Sequence, residues 1–150
     1  MVELKALTDI QLTELAKKLN LPLEKILMRD EMNELKNDGF YIINLDTSEN
    51  TGTHWTSMYK HPLQSYYFDS YGFVPPLEVE IKIKPYLYNE RDIQDWNSKA
   101  CGWFCIAFIK FLCDKNDKEI AFKEFLNLFS RNTKENDEKL KKYLDIKSTE

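Results

Sequence analysis

Cys101, His54, Asp69 and Gln94 are the residues whose types and order could perform acyl transfer through a thiol. A cysteine is a useful nucleophile as thiolate, which the positive end of a helix dipole and its free N–H groups favour. Cys101 stands where a strongly apolar segment begins that reads as a helix. Gly102 beside it removes a side chain near the sulfur, which would let a substrate backbone approach. Such a nucleophile needs a base near neutral pH, and histidine is the side chain that titrates there. The chain has two, His54 and His61. His54 falls where a Ser-, Asn-, Thr- and Gly-rich loop meets a strand, a position from which a scaffold can present a catalytic group. His61 precedes Pro62 in a turn and reads as an exposed bystander. An imidazole in turn needs a partner, normally a carboxylate, that fixes its tautomer and steadies its charge. Asp69 closes the run Tyr66-Tyr67-Phe68, where an acid is a poor choice unless it has such a partner. Gln94 could aim its amide N–H₂ toward a developing oxyanion beside the backbone N–H of Cys101.

Each residue also has a plainer explanation. Cys101 could be a small buried residue starting a core helix, and Asp69 a turn former ahead of Ser70 and Gly72. Trp55 could pack beside a catalytic histidine or simply in the core. Cys105 and Cys113 read as packing residues of an apolar helix. The spacing of Cys101 and Cys105 is not that of a zinc or CxxC redox site, and no second Cys or His pair complements it, so neither metal nor cofactor is expected. Three cysteines in one short stretch make a poor disulfide framework and point to a reducing compartment.

These side chains must be held by a fold of modest size. The 150 residues, 43% hydrophobic and 13% aromatic, predict one domain, 1–150, able to bury a core without disulfides. The apolar runs are too short to span a bilayer and the N-terminus lacks the apolar core of a signal peptide, so no membrane role is expected. The net charge of −4 and pI near 5.3 argue against a dominant nucleic-acid role. Thr8 and Gln11 predict a capping box opening a helix over Asp9 to Leu19. Leu23 to Leu35 reads as a weaker helical or irregular stretch, ended by the turn signal Asn37-Asp38-Gly39. Strands follow at Phe40–Leu45, His54–Tyr59 and Ser65–Tyr71, the first two separated by a loop over Thr47–Thr53, and could pair as a meander. The alternation of Val79 to Lys84 predicts a half-exposed strand, or a helix if the chain follows the family named below. Cys101 to Leu112 reads as the buried central helix, with further helices over Lys118–Phe129 and Asn136–Leu144.

Read together, Gly52-Thr-His-Trp, Tyr67-Phe-Asp-Ser-Tyr-Gly-Phe and Gln94-Asp-Trp-Asn-Ser-Lys-Ala-Cys-Gly-Trp-Phe-Cys resemble the three blocks of the adenovirus maturation protease, adenain. Phe40–Pro75 and Gln94–Leu112 carry most of the likeness. Ile26-Leu-Met-Arg-Asp-Glu and Tyr88-Asn89 resemble segments of the related virophage and Maverick or Polinton proteases, so the chain leans toward that branch. The resemblance implies an α+β fold, a small mixed sheet packed on the helix that bears the nucleophile. It implies a cysteine endopeptidase in which Cys101 attacks the scissile carbonyl, His54 shuttles the proton, Asp69 holds His54 and Gln94 helps form the oxyanion hole, with Trp55 and Gly102 against the substrate. Capsid and core precursors, cut at glycine-containing sites, would be the substrates, and the virion and the reducing interior of the infected cell the place of action. An activating viral peptide is also implied. Two departures stand out. Adenain has a glutamate where Asp69 stands, and the shorter arm demands a closer backbone. This chain is acidic, which speaks against DNA stimulation, and it has no cysteine between His54 and Cys101 to bind an activator by disulfide. A deconjugating protease for ubiquitin-like modifiers shares the His, Asp, Gln, Cys order and is the first alternative. A non-catalytic capsid-associated module is the second.

Overall fold

A computed structural model describes residues 3–46 and 54–146; the expected loop over Thr47–Thr53 lies outside them. Helix α1 runs from Asp9 to Lys18 and opens on the predicted capping box, with Thr8 Oγ1 accepting from Gln11 N at 3.1 Å and Gln11 Oε1 accepting from Thr8 N at 2.9 Å. Strands β1 (Leu23–Met28), β2 (Gly39–Asn44), β3 (Trp55–Lys60), β4 (Ser65–Phe68) and β5 (Tyr86–Tyr88) form one sheet in the order β1-β2-β3-β4-β5. The central β2-β3-β4 meander is antiparallel as expected, and each outer strand runs parallel to its neighbour. Helices α2 (Leu77–Ile83), α3 (Cys101–Leu112), α4 (Lys118–Leu126) and α5 (Asn136–Leu144) complete the fold. The architecture is α+β with a mixed sheet packed on the helix that begins at Cys101, as the resemblance implied.

Strand alternation divides the core between the two sheet faces. On one face Phe40, Ile42, Tyr66 and Phe68 meet the buried side of α3, with α1 and α4 completing the cluster. Phe108 of α3 stacks on Phe68 at 5.7 Å and meets Phe122 and Phe125 of α4 edge-on. The other face packs Tyr41, Ile43, Met58 and Tyr67 under Val79 and Ile83 of α2 and Met32. Helix α3 is therefore clamped between sheet and helices, which fixes the height of its first residue, Cys101, against the strand ends.

The structure corrects one local expectation, decides a second and adds a strand that was not expected. Leu23–Leu35 forms strand β1 followed by a 3-10 turn at Arg29–Glu34. Its Leu, Glu, Lys and Met favour a helix, but that propensity is weak beside parallel pairing with the buried β2. The segment at Val79 is the helix α2 rather than a strand: Val79 and Ile83, one turn apart, are buried while Ile81 between them is exposed. Strand β5 was not anticipated, three residues being too short to show a period.

Candidate active site

The ends of β3 and β4 and the start of α3 converge. His54 immediately precedes β3, Asp69 immediately follows β4, and these strands are antiparallel neighbours, Ser57 opposite Phe68. That pairing sets the two side chains together: His54 Nε2 and Asp69 Oδ1 are 2.7 Å apart, the histidine nearly buried and the aspartate fully so. Cys101 lies near enough for its charge to bear on the same imidazole. Burial disfavours the imidazolium, but the hydrogen bonds and charges of Asp69 and Cys101 outweigh it and push the His54 pKa up to about 9. The His54 ring thus favours its charged form at neutral pH.

Cys101 is the first residue of α3, 9% exposed, and the helix has neither a side-chain cap nor an acid in its first turn. The positive end of its dipole faces the thiol uncompensated. Cys105, one turn on, is fully buried and burial pushes its thiol well up; Cys113 is half-buried and its thiol is raised by burial too. Of the three, Cys101 is the one whose charge bears on the His54 imidazole.

Asp69 is itself braced. Its Oδ1 accepts a second bond from Tyr71 N at 2.8 Å, and Asn89, just past β5, accepts from Asp69 N at 3.1 Å and donates to Asp69 O. Oδ2 has no partner among the described residues. The chain then turns at Gly72, whose φ is +81° and whose missing Cβ would lie 2.5 Å from the backbone of Arg91. This contact lets the segment after Asp69 run against the one leading to Gln94, where Ile93 N and Gln94 N donate to Ser70 O at 2.7 and 2.9 Å.

Gln94 is buried, its Oε1 accepting from Ser70 Oγ at 2.5 Å and its N–H₂ donating to Ser98 O at 2.9 Å and Ser98 Oγ at 3.3 Å. Its amide thus faces the turn that leads to Cys101. Ser98 Oγ in turn accepts from Ala100 N and donates to Asp137 of α5 at 2.9 Å. The substrate roles implied for Trp55 and Gly102 meet different neighbours. Trp55 Nε1 donates to Leu7 O at 2.8 Å, and a Cβ on Gly102 would point at Leu12 and Leu7, 3.2 and 3.3 Å away. Both serve the approach of the chain's own N-terminal segment, which Trp103 Nε1 also holds through Lys5 O. His61 sits at the opposite end of β3 from His54, its Nδ1 accepting from Leu63 N.

Sequence reasoning missed Tyr71, Trp96, Ser98 and Asp137. Tyr71 stacks on His54 with ring centroids 4.6 Å apart, and Trp96 stacks on Tyr71 at 4.7 Å. An aromatic two residues past the acid and another two past Gln94 were the available signals. Among the described residues no cluster of three or more His, Cys, Asp or Glu could hold a metal, and no helix is long and apolar enough to cross a membrane.

The comparison of folds places this geometry among known structures. A crystal structure of the ASFV pS273R protease superposes with a TM-score of 0.58 at 16% identity, covering 93% of this chain and 66% of that one. The two share a fold. A structure of AvrA with IP6 and CoA gives a TM-score of 0.45 at 20% identity, covering 91% of this chain and 56% of that one. This chain therefore spans about two thirds or less of the proteins it superposes on. No protein-family model matches the sequence, and no curated protein matches it significantly.

Proposed function

We propose that the protein is a viral cysteine endopeptidase of the adenain-like type, acting on capsid and core precursor proteins at glycine-containing sites. The observation that carries this reading is a histidine held at 2.7 Å by a buried carboxylate, with Cys101 at an uncapped helix N-terminus near enough to raise its pKa. The Cys101 thiolate adds to the scissile carbonyl, and charge gathers on the carbonyl oxygen, toward which Gln94 and the Cys101 N–H would donate. The carbon–nitrogen bond breaks as His54 passes its proton to the departing amine, leaving a thioester on Cys101. Water, deprotonated by His54, then adds to the thioester; the acid product leaves and the thiolate returns with the imidazolium. Asp69 holds the ring and its charge throughout. The reading places the enzyme in the virion and in the reducing interior of the infected cell. On this reading activation by a viral peptide is an open question, since no cysteine lies between His54 and Cys101 to bind one by disulfide, and the acidic charge of −4 gives DNA little to bind.

The test compares the wild-type chain with Cys101→Ala and His54→Ala on two probes, a library of glycine-containing peptides and fusions of ubiquitin-like modifiers to a reporter. Cleavage of internal peptide bonds by the wild-type chain, absent in both variants, is the expected result. Cleavage of the modifier fusions alone would replace the endopeptidase reading by a deconjugating one. Hydrolysis of neither probe, with or without capsid-derived peptides added as activators, would favour a non-catalytic capsid-associated module.

A further inference from the structure

The catalytic imidazole is the innermost ring of an open aromatic stack. Tyr71 lies on His54 with centroids 4.6 Å apart and planes at 23°, and Trp96 lies on Tyr71 at 4.7 Å and 20°. Phe73 tilts against the indole at 6.3 Å. The outer rings are bare: Trp96 is 72% exposed and Phe73 55%. Such rings commonly mark a surface that something covers. Nor is Trp96 on a loose loop. It occupies the turn Asp95–Ser98, closed by Ser98 N donating to Asp95 O at 2.9 Å. Both ends of that turn are tied to the C-terminal region, Asp95 Oδ1 to Thr133 Oγ1 at 3.1 Å and Ser98 Oγ to Asp137 Oδ1 at 2.9 Å. An exposed indole on so fixed a pedestal is built to meet a partner without first losing freedom.

We infer that Tyr71, Trp96 and Phe73 form the wall that receives the part of the substrate following the scissile bond, and that they select apolar and aromatic side chains there. This rests on the endopeptidase reading. The direction follows from the chemistry: His54 hands its proton to the departing amine, so the peptide beyond the cut leaves past the imidazole and the rings stacked on it. The reach follows from the spacing. Two stacking intervals of 4.6 and 4.7 Å extend over roughly three residues of an extended peptide at about 3.3 Å each. The wall therefore faces the first three positions after the cut. Flat rings of this kind favour apolar and aromatic partners through area and ring contact.

The test digests a library of peptides with blocked termini using the wild-type chain, Trp96→Ala and Phe73→Ala, and reads the residues on both sides of every cut by mass spectrometry. Wild type should enrich aromatic and large aliphatic residues within three positions after the cut. In Trp96→Ala that enrichment should fall about tenfold, with a smaller fall in Phe73→Ala, while the preference before the cut stays the same. Because both side chains are mostly exposed, circular dichroism should match wild type. Cuts by wild type with no enrichment after the bond, or with enrichment unchanged in both variants, would overturn the wall and leave the protease reading standing. Absence of Cys101-dependent cuts by wild type would remove both.

Discussion

The coupling of His54 to Asp69 is the most exposed point of the reasoning, and Asp69→Asn isolates it. In the native chain the imidazole is driven from its ordinary 6.5 to about 9. That difference of about 2.5 units corresponds to roughly 3 kcal/mol of preference for the charged ring. Burial opposes the charge, so it acts unbalanced once the carboxylate is gone, with only the sulfur left against it. The asparagine keeps the size of the side chain and an oxygen for His54 Nε2 and Tyr71 N, so the positions of β3 and β4 should survive. The His54 pKa should then fall to about 6.5 or below, and the protonated fraction at pH 7.5 from over nine tenths to about a tenth or less. The chain has only two histidines, so a proton NMR titration of the ring signals reads this directly, with His61→Ala assigning the second resonance. The rate of Cys101 alkylation by iodoacetamide, followed against pH in the same samples, should lose its neutral plateau. A wild-type His54 titrating near 6.5, or a high pKa that persists in Asp69→Asn, would refute the account.

The same coupling sets a stability window. Because the folded His54 pKa lies above the unfolded value, its contribution is fully present below about pH 6.5 and is lost as pH rises through about 9; thermal melts should show wild type losing more stability than His54→Asn over that interval. Iodoacetamide near neutral pH should label Cys101 well ahead of Cys105 and Cys113, whose thiols burial raises, a ranking that peptide mapping checks. Phe108→Ala, which empties the ring cluster between sheet and α4, should cost about 3–5 kcal/mol in urea unfolding. Gly72→Ala puts a Cβ into the Arg91 backbone at positive φ and should cost more than about 2 kcal/mol, with activity falling alongside if the Ser70–Gln94 pairing moves.

The core of the site was legible because its chemistry is encoded in types that are hard to explain otherwise. An acid at the end of Tyr66-Tyr67-Phe68 and a cysteine at the head of an apolar helix each pointed to a partner, and the antiparallel pairing of β3 with β4 supplies one for Asp69. The meander and α1 were legible for a similar reason, since period-2 runs and a Thr8–Gln11 box are local signals. The errors fell where tertiary context outweighs local preference. Leu23–Met28 is a strand because β2 lies beside it, which its own residues do not encode. Val79–Ile83 satisfies the strand and helix periods at once, and the exposure of Ile81 distinguishes them only after folding. The contacts of Trp55 and Gly102 with the N-terminal segment at Leu7 could not be read locally, because that segment is remote in sequence. Asp137 was invisible for the same reason, its contact arising from the turn at Ser98 meeting α5.

The union of β-strand ends with a helix far along the chain bears on when activity can first arise. His54 and Asp69 can come together once the local β3–β4 hairpin closes, an event of short range. Cys101 joins them only when α3 docks across the sheet on its Phe68–Phe108 contact. A nascent or partly unfolded chain therefore has Cys101 apart from His54 and Asp69, and their meeting reports completion of the global fold rather than formation of any one element.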